Sequence, residues 1–180
     1  LVLTMLMFFV MEAFAIFNIV NPKRDILNKK MIVTITISQL LGTIITMAFF
    51  LLVVIRPKPI YEPQYLIPLG GMILGNSMTG INLALNRVLD SIEERRVNIE
   101  GSLMLGASPR MAMDKIIQNS FDTAITPTLN SIKNMGIISL PGMMTGQILG
   151  GVSPLIAIRY QIAIMTAVMS SVTICVFIFL

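Results

Sequence analysis

Few side chains in this sequence can do chemistry. It has 0 His, which removes the usual general base and the usual zinc ligand. Its 1 Cys, Cys175, stands in an apolar run and cannot form an internal disulfide. No Gly-x-x-x-x-Gly-Lys-Ser/Thr occurs, so the chain cannot cradle nucleotide phosphates in a P-loop. An enzyme acting inside the membrane is the weakest reading, since no nucleophile–base pair is recognisable. What remains is a set of polar and soft groups inside apolar stretches. Glu12 is the first. A carboxylate within a membrane span is costly and is by default a functional candidate, able to bind a cation, relay a proton or pair with a base. The alternative for Glu12 is a shorter or tilted span that leaves it near the cytoplasmic interface.

Further along, Gly71, Gly75, Met78, Asn82 and Asn86 recur at helical spacing, with Asn76 beside them. The two glycines suit close helix packing; Asn76, Met78 and Asn82 are candidates for lining a transport path. Gly142, Gly146 and Gly150 repeat every fourth residue, a small-residue face that predicts helix packing. Pro141-Gly142 is expected to interrupt a helix, and irregular backbone at membrane depth is tolerated only where it is buried or lines a cavity. Met143, Met144 and Gln147 lie beside that break and are the remaining path candidates. Ser38, Gln39, Gly42 and Thr46 form a polar stripe that faces protein or water rather than lipid. The 15 Met offer thioethers to soft cations, although most serve as apolar filler. No metal site can be assigned from these residues.

The elements that carry these groups follow from composition. Hydrophobic residues make up 55% and charged residues 12% of 180, against roughly 25% charged in an average soluble domain. A soluble globule lacks its polar coat here, and disorder needs the opposite balance. The chain reads as an all-α, polytopic helical membrane bundle, one transmembrane domain over 1–180. Taking about 20 apolar residues per span, five spans are expected, at approximately 1–20, 31–55, 65–85, 123–151 and 154–180. A cytoplasmic stretch occupies approximately 86–121. Both ends fall inside apolar runs, so the chain reads as a fragment, and residues 1–20 lack the basic region and cleavage site of a signal peptide.

Basic residues set the orientation. Lys23, Arg24, Lys29 and Lys30 fill the first linker, and Arg87, Arg95, Arg96, Arg110 and Lys115 lie in the long polar stretch. The linker 56–64 holds Arg56 and Lys58, and 150–153 holds no basic residue. Alternation places the first two groups in the cytoplasm. Lys133 is then expected near the cytoplasmic entry of the fourth span, on a helix that begins before the bilayer. A net charge of +4 from 13 Lys+Arg is no nucleic-acid signature.

Residues 90–119 are expected to be helical on both sides of a turn, with Ser108 as N-cap and Pro109 as the first helical residue. Glu100-Gly101-Ser102-Leu103-Met104-Leu105-Gly106 resembles the EAA-x-x-x-G pattern of ABC-transporter permeases, followed by Ala107-Ser108-Pro109. Nine residues separate Gly106 from Ile116, where that pattern has an Ile; its Leu-Pro is replaced here by Gln118-Asn119. The resemblance implies a coupling helix that docks on an ATPase subunit, with Glu100, Gly101, Ser102, Met104, Gly106, Ala107, Ser108 and Pro109 as coupling residues. Three further stretches, 68–78, 139–151 and 157–162, make the chain similar to the FetB family of ABC permeases, associated with bacterial iron export and, in plants, with aluminium tolerance.

That resemblance implies a multi-pass permease of the cell membrane, not an enzyme itself, exporting a metal ion such as iron. It implies an ABC ATP-binding subunit as partner, carrying ATP and Mg that this chain does not bind, a surrounding lipid bilayer and a second permease copy. Other substrates or the opposite direction remain open, as does a channel or structural subunit that does not use ATP.

Overall fold

The computed structural model describes residues 2–55, 63–136, 138 and 141–180. Most of the linker 56–64 lies outside the described residues, as do Ser139 and Leu140. Helix α1 spans Val2–Val20 and ends in a 3-10 turn, Asn21–Lys23. Helix α2, Lys29–Phe49, runs into a π-helical turn, Phe50–Ile55. Then follow α3 (Pro63–Glu94), α4 (Arg96–Met104), α5 (Pro109–Asn134), α6 (Gly142–Leu149) and α7 (Pro154–Phe179). The fold is an all-α helical bundle. Among the described residues three helices are both long and apolar enough to cross a membrane: Met5–Lys23, Lys29–Val54 and Pro154–Phe179.

Helices α3 and α5 are longer than the apolar runs within them. At 1.5 Å per residue, α3 is about 48 Å and α5 about 39 Å long, against a hydrocarbon core of about 30 Å. Both continue as helix through the polar stretch that separates their apolar parts, so that stretch is a helical hairpin with α4 at its tip. Lys133 lies on a helix that begins well before its apolar part. It sits in the last turn of α5, about 36 Å along the axis from Pro109. The cause is the early start of α5: its N-cap is Ser108, whose side chain accepts from the Met111 amide, and no break follows until Met135. There a basic side chain complements the carbonyl end of the helix dipole. The interval 123–151 thus holds two helices, with Gly136 at φ +81° between them and Pro141 capping α6.

Two helix ends are built identically. At α4, the Gly106 amide bonds the Leu103 carbonyl and the Ala107 amide bonds the Ser102 carbonyl, with Gly106 at φ +88°. At α6, Gly151 bonds Ile148 and Val152 bonds Gln147, again with Gly151 at φ +88°. This is the paired-bond C-terminal cap that needs a residue in the left-handed region. A Ser-Pro step opens the next helix each time.

Helices α3 and α7 occupy the centre. One core cluster joins Met47 and Phe50 with Leu69, Ile73, Ala124, Val168 and Val172; a second joins Ile19, Ile35, Ile81, Leu85 and Cys175. The closest approaches fall at two glycines. A Cβ on Gly42 would stand 2.2 Å from Cys175 Sγ and 3.1 Å from its Cα, and one on Gly80 would stand 2.8 Å from Val172 Cγ1. Gly71 and Gly75 are exposed with nothing within 4 Å, as are Gly142 and Gly146; Gly150 meets only α6's own carbonyls. Within one chain, close packing therefore rests on Gly42 and Gly80 rather than on the two glycine stripes. Gly42→Ala should destabilise the full-length protein by about 1–3 kcal/mol through overpacking. Gly71→Ala, with open space and better helix propensity, should be neutral or slightly stabilising. Thermal unfolding in nanodiscs checks both, and equal effects would contradict this packing.

Candidate functional site

Two places collect the candidate residues. The first is the α4 tip. Helix α4 buries none of its residues. Val97 is 82% exposed, Met104 87% and Leu105 91%, with Met111 exposed beyond the turn. Positions 97, 101, 104 and 105 share one helix face, so Gly101 lies in the middle of an apolar stripe directed away from the bundle. Glu100 is exposed and accepts from Arg96 Nε at 2.8 Å. That bond holds the Arg96 guanidinium above its ordinary pKa, yet such a pair in open solvent contributes little to the fold. The Ser102 hydroxyl donates to the Asn98 carbonyl of its own helix. Ala107, Ser108 and Pro109 form the turn into α5. The residues named from the sequence for coupling thus lie on α4 and in the turn into α5, where Gly106 takes a φ of +88° that favours glycine.

The second place is a buried polar network across four helices. Glu12 on α1 is only 2% exposed. It lies 8 residues before Val20, the last residue of α1, about 12 Å along the helix. The Thr43 hydroxyl on α2 stands 3.2 and 3.3 Å from the two Glu12 carboxyl oxygens, and 2.7 Å from the Gln39 carbonyl. Gln39 Nε2 donates to Ser77 Oγ on α3 at 2.9 Å. On α7, Cys175 Sγ lies 4.0 Å from the Gln39 carbonyl and 3.9 Å from Ser171 Oγ. All six side chains are buried. The polar stripe of α2 therefore faces protein: Ser38, Gln39 and Thr46 are buried, and Gly42 meets α7.

The other path candidates are not gathered around Glu12. Asn76 is exposed and donates to the Met72 carbonyl of its own helix. Met78 is half-buried against the second core cluster, and Asn82 is half-buried one turn on. Asn86 accepts from Lys23 and ties the end of α1 to α3. Met143 packs on the first core cluster, and Met144 and Gln147 are half-buried on α6. Sequence reasoning missed Thr43, Ser77, Ser171 and Gly80. Thr43 was within reach, since it follows Gln39 by one helical turn; Ser77 and Ser171 are ordinary helix residues until their neighbours are known.

Comparison with known proteins agrees with this membrane architecture. The model of UPF0014, described as an uncharacterised protein family, matches residues 1–180. The UPF0014 membrane protein STAR2 of Oryza sativa subsp. japonica is 41% identical over 138 residues, 77% of this chain and 47% of its own length. Protein ALUMINUM SENSITIVE 3 of Arabidopsis thaliana is likewise 41% identical over 138 residues, 77% of this chain and 50% of its own. The Probable iron export permease protein FetB of Escherichia coli (strain K12) is 38% identical over 111 residues, 62% of this chain and 43% of its own. The chain spans about half the length of the curated relatives it matches. No solved structure matches it. A multi-pass membrane bundle matched along its whole length by that one model, the chain belongs to the UPF0014 family.

Proposed function

We propose that this chain is a permease subunit of an ABC transporter, that α4 is the element gripped by a separate ATP-binding subunit, and that the cargo is a metal ion such as iron. The observation that carries the reading is α4: a nine-residue helix with no buried residue and an apolar stripe at Val97, Met104 and Leu105. Apolar side chains held that far out of the bundle favour burial against a partner. The helix is rigidly presented, because α3 and α5 flank it as long, unbroken helices and Gly106 fixes the turn. Motion of α4 then becomes motion of those two helices. The E. coli relative's name, an iron export permease, supports the metal cargo. ATP and Mg are held by the partner, the bilayer surrounds the bundle, and the exposed glycine faces at Gly71/Gly75 and Gly142/Gly146 suit a second permease copy.

The test uses the full-length protein reconstituted in vesicles with its ATP-binding partner. Gly106→Leu places a side chain at φ +88°, which costs about 1–2 kcal/mol and should lower coupled ATPase activity roughly tenfold. Glu100→Ala should also uncouple, with the protein still folded. Normal coupling in both variants would sink the assignment of α4. Met104→Glu together with Leu105→Glu should abolish co-purification of the ATP-binding subunit, and retained association would place the docking surface elsewhere. Saturable stimulation of ATP hydrolysis by ferrous iron under reducing conditions is expected; its absence in a coupled complex would redirect the search to another substrate.

A further inference from the structure

Helix α5 is polar where a span is expected to be apolar. It is 26 residues long and packs on α3 and α7, yet it does not count among the helices apolar enough to cross a membrane. One flank explains its packing. Phe121, Ala124 and Ile125 join the core cluster that holds Ile73 of α3 and Val168 and Val172 of α7. The other flank carries a polar side chain at every fourth residue. Asp114, Gln118, Asp122, Thr126 and Asn130 are all exposed. Residues four apart are surface neighbours, so the five form one ridge inclined to the helix axis. From Asp114 to Asn130 it covers about 24 Å of that axis.

Lipid does not suit that ridge. The Thr126 hydroxyl is satisfied by the Asp122 carbonyl of its own helix at 2.6 Å, and Gln118 Nε2 donates to Asp114 Oδ2 at 2.9 Å. Asp122 is different. Among the described residues its carboxylate forms no ion pair, and the nearest basic residue of α5, Lys115, lies two turns away. A charge facing hydrocarbon is expensive, and such side chains face a bundle interior or a water-filled cavity instead. Part of the ridge borders open space in this structure. A groove of about 770 Å³ between α5 and α7 is lined by Arg110, Asp114, Gln118 and Asp122, with Phe177 opposite. Two carboxylates against one guanidinium leave its wall net negative, and Arg110 places one end of it at the α4–α5 turn.

We propose that this ridge of α5 is the wall of a water-filled path within the membrane, with Asp122 as the charge that draws cations into it. Water solvates Gln118, Asp122 and Asn130 along the ridge. A passing cation keeps its own hydration shell, so the wall supplies no set of ligands. Asp122 acts on it through its field, raising the local concentration of cations and lowering that of anions. Use of the path by a transported ion rests on the permease reading above; the wet wall itself does not.

The experiment uses the full-length protein in nanodiscs without the ATP-binding subunit, so a failed coupling test leaves it standing. Gln118→Cys, Thr126→Cys and Asn130→Cys are made singly and treated with a cationic and an anionic water-soluble methanethiosulfonate. Thiols react as thiolates, which form in water and not in hydrocarbon. Wild type sets the background, since Cys175 is buried. Modification roughly tenfold or more above that background is expected at all three positions. Phe14→Cys on α1 and Leu41→Cys on α2, at exposed apolar positions, should stay at background. At low salt the cationic reagent should be favoured at Thr126→Cys by roughly fivefold, relative to a free thiol in solution. Adding Asp122→Asn should abolish that preference. Protection of Thr126→Cys and Asn130→Cys would show lipid or another protein segment on the ridge and overturn the proposal, as would equal modification at Phe14→Cys. Equal rates for the two reagents, or a preference that survives Asp122→Asn, would overturn the role given to Asp122. Should Asp122→Asn misfold, the two rates at Thr126→Cys decide alone.

Discussion

The contact between α2 and α7 at Gly42 organises the rest of this bundle. Only a missing side chain lets the backbone of α2 come within reach of Cys175. Once there, the neighbouring turn of α2 presents Gln39 and Thr43 to three helices at once. Each of those groups would be costly against lipid, and each is buried in protein instead. The apolar clusters on either side add area but little orientation, since Val and Ile of α7 could slide against α3 at modest expense. The polar contacts cannot slide. Gln39 to Ser77, Thr43 to Glu12 and Cys175 to the Gln39 carbonyl specify one register among α1, α2, α3 and α7. Buried polar groups cost stability and confer specificity here, a trade well suited to a membrane, where apolar side chains distinguish poorly between a neighbouring helix and lipid.

The α4 tip obeys a different constraint. It lies beyond the apolar part of the bundle, where exposed backbone ends can be satisfied by water. Yet its turn is tightly specified, with two cap bonds, a left-handed glycine and a Ser-Pro start for α5. Such specification is unusual for a surface that contributes nothing to the core. It fits an element whose shape is read by another molecule. The same cap and Ser-Pro step recur between α6 and α7, so the chain uses one local solution at both places where a short helix must reverse into a long one.

Much of this was legible in the sequence. The membrane class follows from the shortage of charge, and the α4–α5 turn from Gly106, Ser108 and Pro109, because cap chemistry is local. Glu12 announced itself by being charged in an apolar run, and the α2 stripe by its period. What was not legible depended on distance in space. Gly42 looked like one more polar-stripe position, and only the neighbouring α7 backbone shows why it has no side chain. Conversely, the glycine stripes at Gly71/Gly75 and Gly142/Gly146 have a packing pattern without a packing partner among the described residues; spacing reports that a close approach is possible, never which helix makes it. The start of α5 shows two signals at work. Hydropathy marks where a span is apolar, whereas the cap at Ser108 marks where the helix begins, and in α5 these differ by more than ten residues.

The two sites are joined by one element. Helix α3 carries Ser77 inside the bundle and continues to Glu94 beside α4 without leaving helical geometry. Seventeen residues separate those positions, about 26 Å of axis. A helix of that length, packed over most of its course on α5 and α7, moves as a body or not at all. A partner that shifts α4 therefore shifts Ser77 relative to Gln39, and the hydrogen bond between them is the first polar contact of the network to feel it. Gln39 also holds Thr43 through its carbonyl, and Thr43 is the only side chain that hydrogen-bonds Glu12 among the described residues. Three hydrogen-bond steps thus separate Ser77 on α3 from the buried carboxyl.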